Sequence, residues 1–441
     1  MRVKRAAWVL TLCVVATGCG GSDSDLEYDR PATFEALGLQ GARTEAELNE
    51  ELTGLASAPI DPPPVVGEGY EPTFPPPVEF DPAEWETNTS PPSIADPRAK
   101  KGGKVVLAYT DWPPTIRTEG PNSRLAFLSN LHTMIYEPML GFDPVGMEYV
   151  PNLARYWQVD DDKMTYRFRV DERARWADGR EVTADDVVAS VEHYLNPDRK
   201  DPLVNKYWDE MIDYARMLDK YTVEIKTKQP RWRSMISISN GMYIYPAAYI
   251  RMDGATYLDE WNWKLPPGSG PYEIRPEGIK KGRSITLHRR KDYWQGGFPE
   301  NKGAANFDEI EWQIVRDQEL MYQKMLAGEL DIYRVGRAQR WVDELDREKV
   351  IQMGWVQKRK IYNKVPRGYG GFCFNLRSPP FNDPKVRLAF AKLYNREKLF
   401  AKLLFYQYEY TKSYFPAQVW ERENAERVRY DPEEARRLLS E

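Results

Sequence analysis

The chain predicts an α/β fold, on three observations. Strand-length runs, alternating or wholly apolar, recur along it between stretches of helical apolar spacing, the pattern of sheets covered by helices. Its 441 residues suffice for two or three domains, each with its own core. Aromatic residues make up 13% of it, including 14 Trp and 27 Tyr, enough to fill cores and to line a cleft.

The start, "MRVKRAAWVLTLCVVATGCGGSDSD", has a basic end (Arg2, Lys4, Arg5) followed by an apolar core from Ala6 to Ala16. That core is too short to span a bilayer, so residues 1–18 read as an export signal. Ala16-Thr17-Gly18-Cys19 resembles a bacterial lipoprotein cleavage box, with Ala16 where a Leu is usual. Lipidation at Cys19 is therefore expected; the other reading is a plain signal peptide with an incidental cysteine. Gly20 would permit sorting to an outer membrane. Beyond Cys19 only Cys373 remains, so no internal disulfide is available. His132, His193 and His288 form no metal-binding spacing, and neither a metal nor another cofactor is expected. The net charge is −5 and no basic stripe carries interleaved aromatics, which sets nucleic acid aside.

Residues 19–99 are rich in proline and acids and lack a sustained apolar period, apart from a short helical stretch, "TEAELNEELTGLA". Such a segment buries too little surface to offset its ordering entropy and is expected to be a disordered, polyproline-like tether.

Order is expected from "KKGGKVVLAYT", where Val105 to Tyr109 form a buried strand. Leu125, Leu128, Leu131 and Ile135 then keep helical spacing. "KMTYRFRV" alternates Tyr166, Phe168 and Val170 as a half-buried strand, with "EVTADD" as its hairpin partner. "KYTVEIKTK" is another strand, and "GPYEIRPEGIKKGRSITLHRRKDYW" holds two strands around a loop. "FDEIEWQIVRD" is a strand, and "QELMYQKMLAGELDIYRV" a helix ending near Gly328 and then a strand. "PPFNDPKVRLAFAKLYNREKLFAKLLF" holds two helices, the first entered through Asp383-Pro384.

Asp185 and Asp186 in "WADGREVTADDVVASVEHYLNP" pose a choice between chemistry and capping. Asp178-Gly179 is a turn, and Thr183 to Asp186 has capping-box spacing with both carboxylates in the first helical turn. Calcium-loop spacing is absent. The two aspartates start a helix.

The same stretch carries a resemblance. Leu153-Ala154, Trp157, Asp160 to Asp162, Tyr166 to Arg169, Trp176 to Gly179 and Thr183 to Val187 resemble the signature of extracellular solute-binding proteins of peptide/nickel-type ABC importers, solute-binding protein family 5. "PPGSGPYEIR", "ITLHRRKDYW", "LAGELDIY" and "FNLRSPPFNDPKVRLAFAKLYNREKL" are similar to further family segments, with Lys385 where the family has an arginine. "LFYQYEYTKSYFPAQ" is closest to the long-oligopeptide and microcin C-binding subgroup. The resemblance runs from about Lys100 to Glu441. Family members continue further, and their aromatic-rich segment with an Asp for the ligand's amino terminus has no counterpart here. The sequence thus reads as a fragment or a shortened product, its C-terminal part missing.

The resemblance implies a periplasmic-binding-protein-like fold (type II, cluster C) of two large lobes and a smaller one. Residues 100–135 and 235–345 would form lobe I, 136–234 lobe II, and 346–441 the start of an incomplete lobe III. It implies a non-enzyme, a monomer, working from the periplasm or cell envelope. Membrane-anchored through lipid, it would capture an oligopeptide or peptide-like ligand for the permease and ATPase subunits of an ABC importer. Glu119, Gly120, Pro121 and Asn122 are its expected cleft residues, with Tyr369, Phe372 and Asn375 on the cleft wall and Tyr414 a further candidate. A surface turn and a plain core strand are the respective alternatives. Gly268, Gly270 and Pro271 are expected to serve a turn. Two other functions compete: a non-transporting ligand sensor or truncated remnant, and a carbohydrate-active lipoprotein enzyme. No nucleophile elbow, Ser-x-x-Lys or P-loop supports an enzyme.

Overall fold

The computed structural model describes residues 11–15, 69–88, 95–96, 98–143, 146–362, 370–411 and 427–440. The chain divides into two compact units, 42–324 and 1–41 with 325–441.

The 42–324 unit is built on two four-stranded sheets. After strand β1 (Thr11–Val15), which belongs to the other unit, the strands are β2 (Lys104–Tyr109), β3 (Leu140–Phe142), β4 (Tyr149–Pro151), β5 (Ala154–Val159), β6 (Thr165–Val170), β7 (Ile212–Met217), β8 (Thr222–Thr227), β9 (Tyr272–Lys280), β10 (Ser284–Arg289) and β11 (Glu309–Ile314). The first sheet has the order β2-β11-β10-β9, with β2 parallel to β11 and the remaining pairs antiparallel. The second, β5-β6-β8-β7, is antiparallel throughout. β3 and β4 form a small pair of their own.

Alternation decides which faces are buried. Ile310, Trp312 and Ile314 of β11 are buried while Glu309, Glu311 and Gln313 are not. Helix α1 (Ala126–Ile135) buries Phe127, Leu128, Leu131, His132 and Ile135. Phe127 stacks on Tyr109 at 4.7 Å and meets Trp312 edge-on at 5.9 Å, so α1 covers the first sheet. Helix α2 (Ala184–Leu195) packs on β7 and β8 of the second sheet. Its entry is the expected capping box: the Thr183 N–H donates to Asp186 Oδ2 at 2.8 Å.

The expected hairpin between "KMTYRFRV" and "EVTADD" does not form. β6 lies between β5 and β8, and Glu181 makes only an isolated bridge to Arg175. Capping claims Thr183 to Asp186 for the helix, leaving too few residues for a strand. After helix Gln318–Leu326, which ends before Gly328 (φ +75°), only a single bridge residue follows where a strand was expected.

The proline-rich segment differs more deeply from the expectation of a tether throughout 19–99. Residues 69–88 lie along the second sheet. Glu86 pairs through its backbone with Trp157 on the edge strand β5 (2.8 and 3.0 Å), and the Trp157 indole donates to the Glu86 carboxylate at 2.9 Å. Phe80 sits against Trp85 and Tyr156 beneath the Arg169 guanidinium. The physical reason is local. Extended proline-rich backbone loses little entropy on docking, and its spaced aromatics find an exposed sheet edge to cover. The short helix expected near residue 45 lies outside the described residues.

In the second unit, β1 pairs in parallel with β12 (Val356–Lys360). Helices Pro384–Leu393 and Pro432–Ser440 bury Ala389, Ala435 and Leu438 against one another. As expected, Asp383 caps the first of these, accepting the Lys385 N–H at 2.7 Å.

Candidate ligand-binding site

Glu119, Gly120, Pro121 and Asn122 sit in one loop, residues 118–124, between β2 and α1. Its shape comes from the side chain before it. The buried Arg117 guanidinium donates to the carbonyls of Glu119 (2.6 Å), Pro121 (2.9 Å) and Leu258 (2.9 Å), which ties the loop to the helix Gly254–Glu260. Gly120 has φ +96°, and a Cβ there would lie 2.7 Å from Leu258 Cδ2 and 2.8 Å from the Arg199 carbonyl. Asn122 takes φ +64°, a conformation that Asn tolerates better than most residues. Ser123 closes the turn by donating its N–H and hydroxyl to the Gly120 carbonyl. Arg124 then forms a bidentate pair with Asp201 at 3.0 and 3.1 Å. Pro121 and Asn122 stay exposed on this frame.

Glu119 points the other way. Its carboxyl receives the Tyr245 hydroxyl at 3.4 Å. Burial, then the charge of Asp201, pushes it up to about 8. Around it lie Tyr194, Tyr245 and Tyr257, with the His193 ring edge-on to all three and Arg199 over the Tyr257 face at 3.9 Å. Arg124 and Arg199 supply the nearby positive charge. Raised to about 8, the carboxyl keeps its proton at neutral pH and would release it on meeting a cationic group beside these aromatic walls. The helical spacing of "SVEHYL" could not reveal this cluster, because its members come from four separate segments.

A second buried carboxyl, Glu137, explains several of the sequence motifs. It accepts from Tyr293 Oη (2.7 Å), Trp294 Nε1 (3.0 Å) and Gln295 Nε2 (3.1 Å), and burial pushes it up to about 7. Beside it the buried Arg290 donates to the carbonyls of Gly268, Gly270 and Trp176. A Cβ on Gly268 would lie 2.1 Å from the Ile135 carbonyl oxygen. The "WADG", "GSGPY" and "RRKDYW" segments thus converge on one polar knot between the two sheets. Gly268, Gly270 and Pro271 belong to this turn, as expected. A lone Glu inside the apolar run "MIYEPML" was the available signal for Glu137.

The remaining candidates lie in the other unit or outside the described residues. Phe372 is 63% exposed and edges against Phe390 and Tyr394. Asn375 serves a turn, accepting the Arg377 N–H and donating to Ser378 Oγ. Neither lies in a core strand. Tyr369, Tyr414 and Cys19 fall outside the described residues. His132 is a core histidine whose Nε2 lies 2.9 Å from the Ile116 carbonyl, and burial lowers it to about 4. Among the described residues no group of His, Cys, Asp or Glu could hold a metal ion, and no helix is long and apolar enough to cross a membrane.

The mixed helix and strand fold matches that of the type II periplasmic binding proteins. The chain superposes on the oligopeptide-binding protein AppA from Bacillus subtilis in complex with a nonapeptide with a TM-score of 0.63 at 20% identity, over 78% of this chain and 64% of that one. With NikA from Brucella suis in complex with Fe(III)-EDTA the TM-score is 0.59 at 19% identity, over 76% and 64%. These likenesses show the fold.

Residues 148–441 match the model of the bacterial extracellular solute-binding proteins, family 5, middle region, and the chain belongs to that family. A probable peptide-binding protein, YejA of Agrobacterium fabrum, is 30% identical over 263 residues, 58% of this chain and 41% of its own length. The peptide transport periplasmic protein SapA of Salmonella typhimurium is 25% identical over 335 residues, 71% of this chain and 57% of its own. The chain spans about half the length of the curated relatives it matches. The family comprises solute binders rather than enzymes.

Proposed function

We propose that the chain is the ligand-capturing part of a lipid-anchored, extracytoplasmic protein that delivers oligopeptides to an ABC importer. The supporting observation is the loop 118–124. Arg117 bonds three backbone carbonyls around it, and two residues hold left-handed conformations, so the loop presents Pro121 and Asn122 on a rigid frame. Preorganisation of this kind reduces the ordering cost of binding. Backbone hydrogen bonds from an extended peptide to this loop would give affinity that tolerates many side chains. A positive group of the ligand that reached the inward-turned Glu119 would displace the proton its carboxyl holds. Phe372, Asn375, Tyr369 and Tyr414 would be further ligand contacts, and residues 100–135 with 235–345, 136–234 and 346–441 the three lobes. The names of YejA and SapA support a peptide ligand. Acylation at Cys19 would follow removal of residues 1–18, which would also take β1 from the side of β12.

The test is calorimetric titration of the protein with pooled oligopeptides, a nickel chelate and oligosaccharides. Saturable peptide binding, weakened in Asn122→Ala and Glu119→Gln with the melting profile kept, supports the reading. Binding of sugar or chelate alone, or turnover of a glycan, overturns it. Intact mass from the membrane fraction tests acylation, which Cys19→Ser should abolish.

A further inference from the structure

The loop 228–233 and the neighbouring helix α3 (Pro202–Asp209), whose N-cap Asp201 pairs with Arg124 of the candidate loop, form a second exposed surface. All six loop residues, Lys228-Gln229-Pro230-Arg231-Trp232-Arg233, are exposed, and Trp232 is 85% exposed. The loop is fixed to the end of α3. Lys228 Nζ donates to the Asp209 carbonyl at 2.6 Å, Arg231 Nη2 donates to the Glu210 carbonyl at 3.1 Å, and Tyr207 Oη lies 2.8 Å from Ser237 Oγ just beyond the loop. Leu203, 71% exposed, stands one helical turn before Tyr207 on the same face. Trp232 thus projects from a loop tied to the end of α3, with the Arg233 guanidinium 5.5 Å from its ring and Lys206, Lys228 and Arg231 on the same two elements, while α3 itself exposes Leu203 and Tyr207.

We infer that this surface docks on an anionic lipid bilayer. Three cations and no acid occur in the six-residue loop of a chain whose net charge is −5, so the positive charge is local. Asp209 and Glu210, at the end of α3, offset only part of it, pairing with Lys228 and Lys206. The apolar content is a projecting indole, a leucine and a half-exposed phenol rather than a flat patch. Protein interfaces bury roughly 800 Å² per partner and deplete lysine at their centres. Tryptophan and tyrosine settle instead at the headgroup level of a membrane, where nearby lysines and arginines meet lipid phosphates. Pro230 stiffens the loop and lowers the entropy lost on insertion. The contact would set which face of the body lies toward the membrane, and it depends neither on acylation nor on the identity of the ligand.

The test uses the full chain carrying Cys19→Ser, so that no lipid anchor contributes, with sucrose-loaded vesicles of phosphatidylcholine alone or mixed with phosphatidylglycerol. The protein should sediment with the anionic vesicles, less so as salt is raised. Arg231→Gln and Arg233→Gln should each weaken that association about fivefold. Trp232→Ala should weaken it on the same vesicles at every salt concentration. The melting temperatures of Trp232→Ala and Arg233→Gln should stay unchanged, since these side chains are exposed, whereas Arg231→Gln also gives up its bond to the Glu210 carbonyl. Equal sedimentation of all variants, equal binding to both vesicle types, or no sedimentation would each overturn the inference. So would Trp232-dependent self-association without lipid, which would make a second copy the occupant.

Discussion

The Tyr70 hydroxyl donates a 2.6 Å hydrogen bond to Oδ2 of Asp185, joining the proline-rich segment to the first turn of α2 across 115 residues of chain. Arg251 completes the arrangement, pairing with Asp185 at 2.9 Å and donating to the Tyr70 oxygen at 2.8 Å. Burial, and then the Asp185 carboxylate, pushes the Tyr70 hydroxyl up to about 12, so it stays a donor at neutral pH. Of the two aspartates that begin α2, Asp186 caps the helix while Asp185 anchors residues 69–88.

Tyr70→Phe removes that donor and leaves the ring. The loss of a hydrogen bond to a buried charge should cost about 1.5–3 kcal/mol, read as a lower urea midpoint. Limited proteolysis should then cut within residues 69–88 faster than in the unaltered protein. Unchanged stability and unchanged cleavage would show that the segment is held by its aromatic contacts alone.

Stability should fall as the pH rises from about 6.5 to about 8 and level off above that. Folding raises Glu119 to about 8 and Glu137 to about 7, from ordinary values of 4.5. Between those limits the folded chain keeps protons that the unfolded chain has released. Their contribution is complete below the unfolded values, is lost progressively as the pH rises between the two, and is gone once the pH has passed the folded ones. His132 and His193, lowered by burial, act with the opposite sign, but only below their ordinary 6.5. Glu119→Gln should therefore flatten the decline in unfolding free energy above neutrality. A slope identical to that of the unaltered protein would refute the assignment.

Gly120→Ala should damage the loop rather than merely stiffen it. Its φ of +96° and the close Arg199 carbonyl leave a methyl group no relaxed position. The expected loss is about 1–3 kcal/mol of stability, with weakened peptide binding where binding is retained. Titration and chemical unfolding on one preparation would measure both. Full affinity in this variant would remove the loop from the binding surface.

Phe127→Ala should cost about 3–5 kcal/mol, because the ring is fully buried between Tyr109 and Trp312. Thermal unfolding of the soluble variant reads it directly. A loss under about 1 kcal/mol would mean that the space left behind collapses.

Local physics was legible in the residues themselves. The alternation of β6 and β11, the apolar stripe of α1, the capping box at Thr183 and the Asp383 cap each depend on neighbours within a few positions, so spacing alone determines them. The family signature was likewise readable as motifs. Tertiary structure decided what those motifs do. Glu137 gathers donors from more than 150 residues away, and Arg290 binds carbonyls from two further segments. Arg117 shapes the candidate loop through a helix 141 residues on. Residues 69–88 have the composition of disorder and yet dock, because the unpaired edge and aromatic neighbours they require belong to strands far ahead in the chain. Composition measures only what a segment can bury by itself; the fold supplies the surface against which it is buried.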